Sequence, residues 1–299
     1  MSRKDGLLAL LVVMVWGLNF VVIKIGLHAM PPLLLGALRF MLVALPAIFF
    51  VPRPAVPLSL LVGYALTINF GQFAFLFSAI HLGMPAGLAS LLLQAQAFFT
   101  LFLGVFAFKE RLQGKQLAGL AIAVAGATVL IAASYSGEHV AITGFLLSLA
   151  AAFSWACGNI FNKKIMQHPR RPGVLSLVVW SAPIPVLPFL LASYLTDGPS
   201  VMLSSLLNID VTTLLSLVYL AFGASIVGYG LWGALLGRYE TWRVAPLSLL
   251  VPVFGMGSAA LLLGERLSGT QLAGALLIML GLYINVFGVR FGRGKAVRT

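Results

Sequence analysis

Residues 107–126 read AFKERLQGKQLAGLAIAVAG, and residues 262–281 read LLGERLSGTQLAGALLIMLG. Aligned without gaps, they are identical at Glu110/Glu265, Arg111/Arg266, Leu112/Leu267, Gly114/Gly269, Gln116/Gln271, Leu117/Leu272, Ala118/Ala273, Gly119/Gly274 and Gly126/Gly281. Such a run marks a duplication. A second correspondence joins the beginnings of the copies: Trp16, Asn19 and Lys24 answer roughly to Trp155, Asn159 and Lys164, with a slip of one residue. The copies are therefore read as residues 1–137 and 138–299, the second ending in a short basic tail.

The medium in which these copies fold follows from composition. Of the 299 residues 61% are hydrophobic and only 9% charged, which does not suit a water-soluble domain. Apolar runs of about 18 to 25 residues, long enough to cross a hydrocarbon layer as helices, follow one another with short connections. Pro, Gly and charge clusters divide them into spans at 7–28, 33–51, 59–80, 85–107 and 115–133, then 142–165, 174–195, 212–236, 243–263 and 271–289. The first run exceeds the core of a signal peptide and lacks a small-residue cleavage site, so it is kept as mature structure. The expected fold is an all-α membrane protein of ten transmembrane helices, five per copy.

Orientation is read from Lys and Arg, which accumulate in cytoplasmic loops. With the N-terminus inside, the cytoplasmic segments hold all of the 19 basic residues except Lys24, Arg39 and Arg266. Both termini are therefore expected in the cytoplasm. The net charge of +12 follows from this asymmetry facing anionic lipid, so no nucleic acid partner is implied. Because each copy has an odd number of spans, the second enters the membrane upside down. Inverted repeats recur in secondary transporters, whose halves exchange conformations around a central site.

The residues that reveal the duplication also carry a resemblance. An ERL junction, a following Q-L-x-G and a glycine near the middle of the next helix, once per copy, resemble the EamA family of the drug/metabolite transporter superfamily. Three longer stretches, MSRKDGLLALLVVMVWGLNFVVIK (1–24), AAFSWACGNIFNKKIM (151–166) and GRYETWRVAPLSLLVP (237–252), resemble the cysteine-pathway exporters of enteric bacteria within that family. The resemblance implies a bacterial inner-membrane exporter of O-acetylserine and cysteine; no cofactor is expected. One departure stands out: the second copy has Pro252 where the first has Ala97, beside Gln96, so the helix kink implied by the family pattern has no proline in the first copy.

Catalysis has little to work with. The single cysteine, Cys157, excludes an internal disulfide and a multi-cysteine zinc site, and His28, His81, His139 and His168 lie near segment ends without metal-ligand spacing. No Walker motif is present. Asp5, Glu110, Glu138, Asp197, Asp210, Glu240 and Glu265 all fall in loops or at span ends, so neither a metal site, a membrane enzyme nor a buried carboxylate proton relay has a candidate.

A site for a small amino acid must then use amides, aromatic faces and backbone. Helical spacing places Trp155 and Asn159 on one face with Ser148 and Asn162; Tyr229 and Trp232 with Phe222 and Ser225; Asn69 with Gln72; and Ser90 with Gln94, while Gln96 turns away from Gln94. The cavity candidates are Trp16, Asn19, Asn69, Gln72, Gln94, Trp155, Asn159, Tyr229 and Trp232. Trp16, Trp155 and Tyr229 would meet a substrate ammonium through their π faces. For each polar residue the competing reading is an interhelical hydrogen bond, for each aromatic one packing. Lys24 and Arg39, both placed in the outer halves of their spans, are expected in an electropositive outer vestibule for a carboxylate, with snorkelling as the alternative for Lys24. Glu110-Arg111 and Glu265-Arg266 fall at junctions on opposite faces, suited to ion pairing or capping, with gating as the alternative. Pro183, Pro185 and Pro188 should interrupt the seventh span.

Overall fold

The computed structural model describes residues 1–135, 142–170 and 172–287. The junction between the copies, with Glu138 and His139, and the basic tail after residue 287 lie outside them. Among the described residues, ten helices are long and apolar enough to cross a membrane: α1 (Arg3–Gly26), α2 (Pro32–Phe49), α3 (Leu58–His81), α4 (Ala86–Phe108), α5 (Gly114–Ala133), α6 (Ile142–Met166), α7 (Val174–Thr196), α8 (Val211–Arg238), α9 (Pro246–Leu263) and α10 (Gly269–Phe287). A short helix, Pro199–Leu207, precedes α8. Below, the near end of the bundle is the one bearing residue 1, and the far end is where α1 finishes.

Few of these spans are uniform α-helix, and the irregularities come in inverted pairs. α3 contains a π-helical stretch at Ala65–Gly71, and α8, its counterpart in the second copy, contains one at Tyr219–Val227. π turns insert a residue into the helical ladder and swing the following side chains around the axis, a distortion concentrated at functional sites. α4 tightens to 3₁₀ geometry at Leu93–Ala95, and 3₁₀ geometry at Ala245–Leu250 leads into its counterpart α9. The break in α4 forms without a proline: the Gln94 side chain donates to the Ser248 carbonyl at 3.2 Å, tying one 3₁₀ stretch to the other. α7 is interrupted at Ala182, ahead of Pro183, as the proline cluster leads one to expect.

The glycines that revealed the duplication form a seam between α5 and α10. A Cβ on Gly119 would lie 2.6 Å from the Gly281 carbonyl oxygen, and one on Gly126 would lie 2.7 Å from that of Gly274. Each glycine thus opposes the repeat equivalent of the other. In lipid, where apolar packing gains nothing from expelling water, such close backbone approach is a principal source of helix association. At the bundle centre, α1 packs into the second copy: Gly17 lies against Phe254 and Gly255 of α9, and Gly26 against Ser216 of α8. In the equivalent place α6 packs on α3, with Gly158 against Ile68 and the Ser154 hydroxyl donating to the Thr67 carbonyl at 2.7 Å. The two copies are interleaved.

Candidate functional site

Between α2, α3, α7 and α8 lies a cavity of about 20 Å³. Its walls are the second and third spans of both inverted copies. Both π-helical stretches reach it, through Ile68 and Asn69 on one side and Ser225 on the other. Tyr64, Phe73 and Tyr229 complete most of the wall.

Arg39 dominates the chemistry of this cavity. Expected in an outer vestibule, it is instead 2% exposed and stands midway along the bundle, opposite the centre of α8. The reason is that α2 loses its α-helical geometry after Ala44, ahead of Pro46, so Arg39 is central to a short helix. Its Nη2 donates to the Ser225 hydroxyl at 3.2 Å, and that hydroxyl donates in turn to the Leu220 carbonyl at 2.9 Å. The guanidinium carbon lies 4.0 Å from the centroid of the Phe73 ring, a cation–π contact. Nε and Nη1 are buried and have no hydrogen-bond partner among the described residues.

The described carboxylates are all engaged elsewhere. Asp5 holds Ser2, Arg238 and Tyr239; Glu110 holds Lys163; Asp197 accepts from Ser193; Asp210 caps the Thr213 amide; Glu240 pairs with Arg243; and Glu265 holds Lys24 and two backbone amides. The central guanidinium has none of them.

The other candidates separate into groups. Asn69 and Tyr229 line the cavity with Arg39. Asn69 donates to the Ser181 hydroxyl at 2.8 Å. Trp16 and Trp232 adjoin through aromatic contact, with the Trp16 ring 5.1 Å from Tyr229 and 5.2 Å from Trp232. The Trp16 indole donates to the Ala224 carbonyl in the π stretch of α8 at 3.0 Å. Trp155, in the inverted position, packs with Tyr64 and Ile68 on the α3 side. Asn159 is occupied by α4, donating to Gln96 at 2.7 Å and to Thr100 at 3.0 Å. Gln96, which turns away from Gln94, therefore serves a different contact. Asn19 and Gln72 are buried, each with a side-chain oxygen that lacks a partner among the described residues.

Residues 5–132 and 142–287 both match the model of the EamA-like transporter family. The chain belongs to that family. Among its relatives, a protein of Salmonella typhimurium named as a probable amino-acid metabolite efflux pump is 74% identical over 297 residues, covering 99% of each chain. Its namesake in Escherichia coli K12 is 72% identical over 299 residues, covering 100% of this chain and 99% of its own. A solved crystal structure aligns over 98% of this chain and 100% of its own, with a TM-score of 0.66 at 22% identity, a likeness of fold.

This EamA-like transporter carries a second pair of features, at the two ends of the bundle. At the far end Lys24 Nζ lies 2.7 Å from Glu265 Oε1, and the same carboxylate accepts from the Ala86 amide at 2.9 Å and the Gly87 amide at 3.1 Å. Those are the first amides of α4. Pro85 ahead of them provides no side-chain cap, so a carboxylate from the opposite copy satisfies the positive end of the helix. At the near end Lys163 pairs with Glu110. Glu110 and Glu265 are repeat equivalents, and the offset that aligns Trp16 with Trp155 aligns Lys24 with Lys163, not with Lys164. No slip is needed for the lysines. Lys163 also lies 4.3 Å from the centroid of the Phe108 ring.

The two ends differ in closure. The Glu265 side chain is 12% exposed, whereas that of Glu110 is 43% exposed. Beside the far-end pair a depression of about 580 Å³ is lined by Lys24, His28, His81 and Asp210 among others. Lys24 of this EamA-like transporter thus borders a far-end depression and is paired with an acid. Sequence reasoning missed Arg39 as a central group and its neighbour Tyr64, and named Ser225 only as sharing a face with Tyr229. One signal was available in the sequence: a mid-span arginine without an acidic partner within helical reach.

Proposed function

We propose that this chain exports small amino-acid metabolites, O-acetylserine and cysteine first among them, from the bacterial cytoplasm across the inner membrane by alternating access. The observation that carries the reading is the central cavity: it lies between the same two spans of both inverted copies, bordered by two broken helices, where transporters of inverted-repeat design hold their solute. The efflux-pump relatives support the direction and the amino-acid class. The choice of O-acetylserine and cysteine rests on the resemblance at residues 1–24, 151–166 and 237–252.

With both termini cytoplasmic, as the Lys and Arg distribution indicates, the far end is periplasmic. Glu265 and Lys24 then form an outer latch, drawn tight by the first amides of α4. Glu110 and Lys163 form the inner latch, which is more open to solvent. On outward opening Glu265 releases α4, and Glu110 engages the equivalent backbone turn at the near end, Thr241–Val244. The exchange is close to isoenergetic because it replaces one contact by its inverted copy.

The test is efflux of labelled cysteine, O-acetylserine and control amino acids from vesicles containing the protein, with and without an imposed proton gradient. Efflux of the first two above the controls is expected. Efflux of a different solute in their place overturns the substrate assignment, and no efflux of any overturns export.

A further inference from the structure

We infer that Arg39 is the receptor for the carboxylate of the transported solute, with the hydroxyls of Tyr64 and Tyr229 as its flanking donors. The inference rests on the export reading for its direction, and on geometry for its chemistry.

An arginine cannot shed its charge by deprotonating in a protein, so a buried guanidinium must find an anion, a full set of acceptors or water. Arg39 has one hydroxyl acceptor and two aromatic rings, Phe40 and Phe73, while two of its three nitrogens have no partner among the described residues. A residue evolved only for packing would not keep such a group in a membrane interior, where it costs several kcal/mol. The missing acceptor is therefore supplied by something that comes and goes.

Geometry limits what that is. Arg39 lines a cavity bordered by the second and third spans of both copies. Tyr64 and Tyr229 line it as well. The guanidinium can only donate and each phenol can add one donor, so the set suits an anion, and a carboxylate with its four lone-pair sites is the amino-acid group that fits. The aromatic faces of Trp16 and Tyr229 stand on the side where the ammonium would follow. At about 20 Å³ the cavity admits one water, so the solute enters as α2, α3 and α8 part during the access cycle.

The test uses the full chain in lipid nanodiscs and reads thermal midpoint and tryptophan fluorescence against four probes. L-cysteine and glycine carry a carboxylate; cysteamine and glycinamide are the same molecules without it. The carboxylate forms are expected to bind about ten- to a hundredfold more tightly, the usual value of a charged hydrogen-bond partner. Arg39→Gln should erase the difference while unfolding cooperatively, and Tyr229→Phe should narrow it a few-fold. Should Arg39→Gln not fold, Arg39→Lys decides, since it keeps the charge and loses the fork: it is expected to retain a weakened preference. Equal binding of cysteine and cysteamine, no stabilisation by any probe, or full discrimination in Arg39→Lys or Arg39→Gln overturns the assignment. Discrimination in nanodiscs without cysteine efflux from vesicles would instead sink the substrate choice and leave the receptor standing. Efflux without discrimination would do the reverse.

Discussion

The ammonium of Lys24 and the carboxylate of Glu265 meet 2.7 Å apart across the two copies, at the end of the bundle opposite the Lys163–Glu110 pair that inversion makes their equivalent. As an ion pair alone, with the Lys24 side chain 41% exposed, Lys24–Glu265 would contribute little. What raises its weight is that Glu265 also caps α4. Lys24→Ala should therefore lower the thermal midpoint slightly, whereas Glu265→Gln, which weakens the cap as well, should cost about 1–2 kcal/mol. The charge swap Lys24→Glu with Glu265→Lys separates the two contributions: a lysine cannot accept from the Ala86 and Gly87 amides, so the swap keeps the ion pair but loses the cap and should stay below the Lys24→Ala level. Full recovery in the swap would show that the amides do not matter.

Lys109 adopts the left-handed conformation, at φ 56°, where its repeat equivalent is Gly264 at φ 64°. An L side chain there costs roughly 1 kcal/mol. Lys109→Gly is expected to stabilise by about that amount, and Gly264→Ala to destabilise similarly, both read as shifts in midpoint in detergent. No gain from Lys109→Gly would mean that the lysine side chain contributes a compensating contact.

The α5–α10 seam predicts a sharp contrast among glycines. Gly126→Val would drive methyl groups into the Gly274 backbone and should leave little folded protein. Gly257→Ala, on α9 with nothing near its Cβ position, should gain about 0.5–1 kcal/mol from helix propensity. Monodisperse yield after solubilisation distinguishes them.

Asp210 lies just outside α8 and caps it through the Thr213 amide at 2.8 Å. The hydrogen bond from Thr213 holds its carboxyl below the ordinary 3.8. A depressed folded-state pKa adds stability above the unfolded value that is lost as pH falls through the folded one. Asp210→Asn should therefore flatten the acid limb of the midpoint-against-pH curve below about pH 4, leaving neutral behaviour almost unchanged. An unaltered acid limb would place that sensitivity in other carboxylates.

The ten spans, their duplication and their inversion were legible in one dimension. Hydropathy needs only composition along the chain, because a membrane-spanning helix satisfies its own backbone and must be apolar over a set length. The E-R-L…Q-L-A-G identities and the odd span number required no contact information either, and the α5–α10 glycines announced themselves by repeating. Even the irregular seventh span could be read from Pro183, because proline acts locally.

The site was only partly legible. Helical spacing grouped Asn69 with Gln72 and Tyr229 with Ser225, but spacing presumes 3.6 residues per turn, and the π stretches Ala65–Gly71 and Tyr219–Val227 break that count where it matters. No residue type marks such a stretch. In the same way, the α4 break at Leu93–Ala95 is held by Gln94 reaching Ser248 in the other copy, a contact that a missing proline at Ala97 could not foretell.

By itself, then, the sequence determined the transmembrane architecture and the symmetry of its halves, since both follow from local chemistry repeated along the chain. Tertiary structure alone decided that Arg39 stands at the centre without a carboxylate, and that Glu265 rather than lipid receives Lys24. A helix face specifies what it presents. What it meets depends on how ten helices pack, and that is set by close approaches among residues far apart in the chain.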